Sequence, residues 1–233
     1  MATYNGSRYV DAQLVSILEQ LSPRDEVVIV DDCSADDTVA RIEALDDDRI
    51  RIICTKENRG HVKAFESAIR QATGEIIFLS DQDDIWLPGR VEAMTSALRE
   101  HLMVATSYNS FGEAEPSPPL TLSDQTSAIS NIWGLFAGTR PYLGCVMAFR
   151  SDLRDIALPF PGYVEAHDQW LAMVANVAHG MKHLPNPSLL HRLHSSNVSP
   201  NTRRPLKKQI RTRVIMARYL MDAVRRTRKT ATM

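Results

Sequence analysis

The chain has 233 residues, enough for one large domain or two small ones with a buried core. Its 44% hydrophobic and 24% charged residues are ordinary for a globular protein and argue against wholesale disorder, collagen and coiled coil. Apolar runs fall short of the roughly 18 residues that a membrane-spanning helix needs, and the first residues lack the pattern of a secretory signal. Three scattered cysteines form neither a disulfide framework nor a zinc motif. We therefore expect a cytoplasmic protein.

The net charge of −1 combines two regions of opposite sign. From Arg203 to Lys229 there are eleven lysines and arginines and one acid, Asp222, so this segment carries +10 and the rest of the chain carries −11. An acidic body and a basic tail call for separate explanations.

Strand and helix patterns alternate along the first half of the chain. The apolar spacing predicts helices over 9–21, 38–45, 61–72 and 88–101, and strands over 26–32, 49–54, 75–80 and 103–108. This alternation predicts an α/β fold, with a mostly parallel sheet covered by helices.

The second half is less regular. The segment 112–127, with three prolines, predicts a loop, 142–149 a strand, 165–178 a helix and 184–193 a partly extended segment. The basic tail, 203–228, predicts an amphipathic helix whose apolar face comprises Ile210, Val214, Ala217, Leu220, Met221 and Val224.

Acidic residues follow two of the predicted strands. Asp31 and Asp32 close the first, and Asp81, Asp83 and Asp84 follow another. Ligands of parallel α/β sheets bind beyond the carboxyl ends of the strands. Clustered carboxylates repel one another, and a divalent cation such as Mg²⁺ relieves that repulsion. Acids in the first turn of a helix are the simpler explanation, but Pro88 places the second cluster in a loop.

Three motifs are linked along the first part of the chain: MATYNG at residue 1, VVIVDDCSADDT from Val27, and FLSDQDDIWLPGR from Phe78. Together they resemble family 2 glycosyltransferases, which have the GT-A fold, and SDQDDIW is similar to bacterial rhamnosyltransferase-like members. GCVMAF, HDQWLAMVA and HRLHSSNVS, from Gly144, His167 and His191, resemble later motifs. The resemblance covers residues 1 to about 200, which we expect to form one GT-A domain followed by a basic helical tail, 201–233.

The resemblance implies a role for each matching residue. Thr3, Tyr4, Asp31 and Asp32 would surround the nucleotide base, and Asp81 would face the ribose. Asp83 would bind Mg²⁺ or Mn²⁺, and Asp84 could substitute or assist in either the ribose or the metal role. His194 matches a histidine that in some relatives holds the metal or the diphosphate, although a lone histidine is more often a surface or hydrogen-bonded residue. Asp168 matches the catalytic base, with a helix N-terminal acid as the alternative.

These roles together imply an inverting, metal-dependent glycosyltransferase. The donor would be a nucleoside-diphosphate sugar, either dTDP-rhamnose or a UDP-sugar, and the acceptor a glycan or a lipid-linked sugar of a surface polysaccharide. Two other classes stay open: a catalytically impaired sugar-nucleotide-binding protein and a nucleotidyltransferase.

The basic tail has three interpretations: a solvated or subunit-packing helix, a nucleic-acid patch, or a helix on an anionic membrane. A single aromatic residue, Tyr219, and the acidic body argue against nucleic acid. A lipid-linked acceptor favours peripheral contact with the inner face of the membrane. The sequence also starts at the ATYNG turn, where relatives have an apolar strand, so we expect the first strand to be shortened.

Overall fold

The structure is a computed structural model that describes residues 1–112, 122–123, 127–140, 142–194 and 206–230. Its elements, in chain order, are β1 (Ala2–Thr3), α1 (Val10–Leu18), β2 (Val27–Asp31), α2 (Thr38–Glu43), β3 (Ile50–Cys54), α3 (His61–Gln71), β4 (Ile76–Phe78), β5 (Ile85–Trp86), α4 (Arg90–Ala97), β6 (Met103–Gly112), α5 (Ala128–Ala137), a 3₁₀ turn (Gly144–Val146), β7 (Met147–Arg150), α6 (Ser151–Ala157), α7 (His167–Val177), β8 (Met181–Leu193) and α8 (Leu206–Thr230). The predicted α/β fold is confirmed.

A small parallel sheet forms one side of the molecule, in the order β1-β2-β3. The central strand β2 is a run of β-branched residues that are all buried, as expected for a strand covered on both faces. β1 is two residues long and aligns Thr3 with Asp31 at the carboxyl end of β2. These two side chains therefore meet at the edge of the sheet where ligands bind.

A second sheet has the order β4-β7-β6-β8-β5 and mixed directions. β6 and β8 run parallel, whereas β7 is antiparallel to both β4 and β6, and β5 is antiparallel to β8. The long strand β8 therefore brings its last residues beside β5 and the end of β6. This pairing places residues separated by about a hundred positions in sequence at one site.

Several elements of the structure differ from the predicted ones. The first part of the predicted strand 142–149 is a 3₁₀ turn, and the strand itself starts at Met147. Helices α5 and α6 and the short strand β5 were not predicted. The predicted loop 112–127 and the end of the motif that begins at His191 lie mostly outside the described residues.

The predicted helix in the basic tail is present as α8, and one of its faces packs on the body. Ile215, Met216, Tyr219 and Ala223 are its buried residues. Ile210, Val214 and Met221, which belong to the apolar face named from the sequence, are exposed. Tyr219 lies against Trp170 of α7, with ring centroids 5.6 Å apart, and this contact fixes α8 to the core. Within the ranges that the structure covers, no helix is both long and apolar enough to cross a membrane.

Candidate active site

The acidic residues Asp81, Asp83 and Asp84 lie in the loop between β4 and β5, which we call the acidic loop (Asp81–Asp84). They are not in the first turn of a helix, because α4 begins only at Arg90. Gln82 ties this loop to the first turn of the chain: its side-chain oxygen accepts from the Tyr4 backbone N–H at 2.8 Å, and its amide donates to the Tyr4 carbonyl at 3.1 Å. The acidic loop therefore borders the end of β1.

Asp31 and Thr3 form a buried polar pair at the carboxyl end of the parallel sheet. The Thr3 hydroxyl donates to Asp31 at 2.8 Å, and Asp31 also accepts from the Ser34 backbone N–H and hydroxyl at 2.8 Å and 2.6 Å. These bonds hold the turn after β2 against β1. Tyr4, in contrast, is 47% exposed at the rim, where its ring is accessible to a ligand.

Asp32 organises the loop that precedes α3. Its carboxylate accepts from the backbone N–H groups of Arg59 and Gly60 at 2.9 Å and 2.7 Å. Gly60 has φ +86°, a left-handed conformation that glycine adopts without strain. The residue expected to contact the nucleotide base thus also fixes the shape of the loop beside that position.

Asp83 and His194 meet across the site. Nε2 of His194 lies 2.8 Å from Oδ2 of Asp83, and both side chains are largely buried. The His194 ring stacks on Tyr9 with centroids 4.9 Å apart. The Arg192 Nε–H donates to the Asp83 carbonyl at 2.7 Å, so the end of β8 holds both the backbone and the side chain of this aspartate. A cavity of about 320 Å³ adjoins His194 and is lined by Arg8, Tyr9 and Arg192 among others.

Asp84 is completely buried and points to the other side of the loop. Its Oδ1 accepts from the Arg192 backbone N–H and lies 2.9 Å from Nδ1 of His191. Burial acts to lower the pKa of His191, but the hydrogen bond to Asp84 and its charge outweigh it, so that pKa is raised. Asp84 thereby fastens the acidic loop to β8.

The acidic loop contains more negative charge than its burial favours. Burial, followed by the charges of Asp84 and Asp83, raises the pKa of Asp81 from 3.8 to about 8. Burial and the charge of Asp84 also raise the pKa of Asp83, and the hydrogen bond to His194 offsets part of that rise. A bound cation would reverse both shifts.

Two side-chain groups here offer metal ligands. Asp83 and His194, whose Oδ2 and Nε2 atoms lie 2.8 Å apart, supply a carboxylate and an imidazole, donors that fit Mg²⁺ or Mn²⁺. Asp84, Cys145 and His191 also offer ligand atoms within 4.8 Å of one another. Burial and then the Asp84 charge raise the pKa of the Cys145 thiol well above its usual value. A protonated thiol is a poor metal ligand, so the first group fits the expected cation better.

Asp168 lies in the first turn of α7, with its carboxylate accepting from the Gln169 backbone N–H at 2.7 Å. Its charge contributes to the raised pKa of Asp81, so it belongs to the same electrostatic cluster. The adjacent His167 is buried and stacks on Phe65 with centroids 4.0 Å apart. Burial lowers the pKa of His167 to about 3, which keeps this ring neutral next to Asp168.

Several residues of this site were not predicted from the sequence: Tyr9, Gln82, Arg90, His191 and Arg192. Arg90 is almost completely buried and donates to Ser188 at 2.5 Å and to the Cys145 carbonyl at 2.7 Å. Only a buried anion nearby makes an interior guanidinium reasonable, and Asp84 supplies that charge. The local sequence carries no signal for these contacts, because each joins segments that are far apart in the chain.

The sequence of this chain is similar to those of known glycosyltransferases. The family model for glycosyl transferase family 2 matches residues 1–156. A relative from Escherichia coli, the UDP-Glc:alpha-D-GlcNAc-diphosphoundecaprenol beta-1,3-glucosyltransferase WfaP, is 27% identical over 216 residues, which are 90% of this chain and 82% of WfaP. Other curated glycosyltransferases match over shorter stretches, and the chain covers 40%, 27% and 39% of three of them.

Two solved structures share the fold. Staphylococcus aureus TarS (residues 1–349), in complex with UDP-GlcNAc, superposes with a TM-score of 0.75 at 19% identity, over 94% of this chain and 64% of TarS. The mannosyltransferase PcManGT from Pyrobaculum calidifontis, in complex with GDP-Man and Mn²⁺, has a TM-score of 0.60 at 20% identity, over 99% of this chain and 73% of its own.

The fold is therefore a GT-A fold, with an acidic loop at the ends of its strands. The chain belongs to glycosyl transferase family 2.

Proposed function

We propose that the chain is an inverting, metal-dependent glycosyltransferase of surface polysaccharide synthesis. The observation that carries this proposal is the meeting of Asp83 with His194, within an acidic cluster that also includes Asp81 and Asp168. The raised pKa of Asp81 shows that burying this acid among other acids costs free energy. If the cluster were only structural, no bound ligand would offset that cost.

The donor would bind across the ends of β1, β2 and β4. Thr3, Tyr4, Asp31 and Asp32 would surround the base, and Asp81 would face the ribose. The diphosphate would lie beside Asp83 and His194, with Asp84 holding the loop in place. A divalent cation held by Asp83 and His194 would offset the charge that develops on the leaving diphosphate.

Asp168 would act as the catalytic base. Its carboxylate would remove the proton from the acceptor hydroxyl as the oxygen forms a bond to the anomeric carbon. The bond between that carbon and the diphosphate breaks on the opposite face, and the nucleoside diphosphate leaves with the electron pair. This single displacement inverts the anomeric configuration and needs one base.

Two classes of donor are candidates, and they can be tested separately. The SDQDDIW motif favours dTDP-rhamnose, whereas the names of WfaP and of the TarS complex contain UDP-sugars. The WfaP name also specifies a sugar linked to diphosphoundecaprenol as its acceptor, which supports a lipid-linked acceptor for this chain. The glycan or lipid-linked acceptor and the nucleoside-diphosphate sugar are therefore its proposed partners.

Nucleotide release tests the proposal. We expect the purified chain to release nucleoside diphosphate from UDP-glucose, UDP-GlcNAc or dTDP-rhamnose with Mn²⁺ or Mg²⁺, and to stop when EDTA is added. Asp168→Asn should lower turnover roughly a hundredfold or more while leaving donor binding by calorimetry unchanged, and Asp48→Asn, an exposed acid, should behave like wild type.

Two results would favour the other classes. Metal-independent donor binding without turnover, unaffected by Asp168→Asn, indicates a sugar-nucleotide-binding protein. Release of inorganic pyrophosphate from a nucleoside triphosphate and a sugar phosphate indicates a nucleotidyltransferase. Either outcome overturns the proposal.

A further inference from the structure

Helix α8 has a second apolar face that nothing in the described structure covers. Ile210, Val214 and Met221 are 58%, 56% and 64% exposed. With Ala217 and Val224 they repeat at alternating intervals of four and three residues, so they line one side of the helix. Tyr219, at the centre of the packed side, is fully buried. We call this exposed stripe the outer face of α8 (Ile210, Val214, Ala217, Met221, Val224).

Basic residues follow one edge of the outer face. Lys207, Arg211, Arg218 and Arg225 are all exposed and recur at four- and seven-residue intervals along that edge. Helix α8 contains nine lysines and arginines and one acid, a net charge of +8. Arg211 forms an ion pair with Glu165, and the Arg218 guanidinium lies 3.8 Å from the centroid of the Tyr163 ring. These contacts hold the two arginines in place beside the apolar stripe.

The basic edge indicates which kind of partner fits the outer face. A second copy of α8 packed on the same stripe would bring the arginines of the two helices together, which is unfavourable. An occupant with negative charge and an apolar interior satisfies both the basic edge and the stripe. An anionic lipid surface has both properties.

Helix α5, whose end contacts α8, also has exposed apolar side chains. Ile129 and Trp133 are each 69% exposed. The Arg213 guanidinium of α8 donates to the Ala137 carbonyl at 3.0 Å, so the end of α5 borders α8. Tryptophan favours the boundary between lipid headgroups and hydrocarbon, where its ring and its N–H are both accommodated. An acidic protein partner would explain the arginines but gives no reason for an exposed tryptophan on the neighbouring helix.

We propose that the outer face of α8, with Trp133 of α5, is a docking surface for anionic phospholipid bilayers. The apolar stripe would enter the headgroup boundary, and the basic edge would contact lipid phosphates. The proposal rests on the proposed function in one respect: a lipid-linked acceptor would be presented at that same surface.

Vesicle flotation tests the docking surface with neither donor nor acceptor present. We expect the 233-residue chain to float with vesicles of phosphatidylcholine mixed with phosphatidylglycerol, and not with phosphatidylcholine alone. The double variant Lys207→Gln/Arg225→Gln loses two positive charges of the basic edge, so its binding to these vesicles should be roughly thirtyfold weaker. The matched control Arg24→Gln/Arg99→Gln removes the same charge from exposed positions elsewhere and should bind like wild type.

Trp133 supplies an independent readout. The chain has three tryptophans, and Trp86 and Trp170 are only 5% and 0% exposed. Anionic vesicles should therefore shift the emission of Trp133 to shorter wavelength, and Trp133→Phe should remove that shift. Ile210→Ser/Met221→Ser should weaken flotation with an unchanged circular dichroism spectrum, because both side chains are already exposed.

The proposal fails if anionic vesicles do not bind the chain, or if the outer-face variants float like wild type. It also fails if light scattering shows a dimer that Ile210→Ser/Met221→Ser dissociates, since the face then joins two copies. Binding to polyglutamate without binding to vesicles would assign the face to an acidic protein. Nucleotide release measured without vesicles should stay at the wild-type rate in all these variants, which separates failure of docking from failure of the glycosyltransferase proposal.

Discussion

Replacing Asp81 with asparagine should stabilise the metal-free protein. Asp81 is buried among other carboxylates, and burial followed by the charges of Asp84 and Asp83 raises its pKa from 3.8 to about 8. Each tenfold change in proton affinity corresponds to about 1.4 kcal/mol. At pH 7 the folded state therefore gives up roughly 4 kcal/mol, because it retains a proton that the unfolded chain has released.

The sign of the pH dependence follows from the raised pKa. Between about pH 4 and pH 8 the folded state binds more protons than the unfolded state at Asp81, so the free energy of unfolding falls as the pH rises. Asp81→Asn removes this dependence. Urea denaturation in EDTA at pH 5 and pH 8 should show a larger loss of stability for wild type than for the variant, with Asp48→Asn matching wild type.

Metal addition should favour wild type over Asp81→Asn, the opposite of the stability order expected in EDTA. Mn²⁺ should raise the melting temperature of wild type, because the cation relieves the repulsion among Asp81, Asp83 and Asp84, and it should have much less effect on Asp81→Asn. Two results together would refute this reasoning: the variant is no more stable than wild type in EDTA, and both respond equally to Mn²⁺. Repulsion in the acidic loop would then not destabilise the protein, and the loop would not bind the metal.

Three further substitutions test particular contacts by urea denaturation. His167→Phe should abolish a loss of roughly 3 kcal/mol between pH 7 and pH 4, because the unfolded chain protonates a histidine whose pKa in the fold is about 3; an unchanged pH dependence contradicts this. Gly112→Ala should cost about 2 kcal/mol or more, since a Cβ there would lie 2.5 Å from a β8 carbonyl, whereas Gly162→Ala, in open space, should be nearly neutral. Tyr219→Ala should cost about 3–5 kcal/mol and Ile210→Ala within about 0.5 kcal/mol; comparable costs would mean that the packed face of α8 is misassigned.

The first half of the fold could be predicted because its signals are local. The buried run of β2 and the helical spacing of α3 each lie within a dozen residues. The position of the acidic loop followed from Pro88, which comes shortly before α4 begins. The acids were therefore placed correctly at strand ends by periodicity and turn chemistry alone.

The partners of those acids could not be found in the same way. Asp84 contacts His191, and Asp83 contacts the side chain of Arg192, across more than a hundred residues. The contacts arise from the antiparallel pairing of β5 with β8, in which Ile85 aligns with Leu190. Strand β5 is two residues long, which is too short to show the alternating apolar pattern by which a strand is predicted from sequence. Resemblance to the family pointed to His194, and the pairing explains why it meets Asp83.

Helix α8 shows where periodicity itself is ambiguous. The helix has two apolar stripes, one around Tyr219 and the other through Ile210 and Met221, and both satisfy helical spacing. The stripe around Tyr219 is the buried one because the body offers it partners. Tyr219 packs on Trp170, and Arg226 donates to the Ala157 carbonyl at the end of α6. A stripe that is apolar, regularly spaced and still exposed beside a row of arginines is expensive to keep in water. Its exposure is therefore the reason to look for an anionic, apolar surface as its partner rather than for a further helix of this chain.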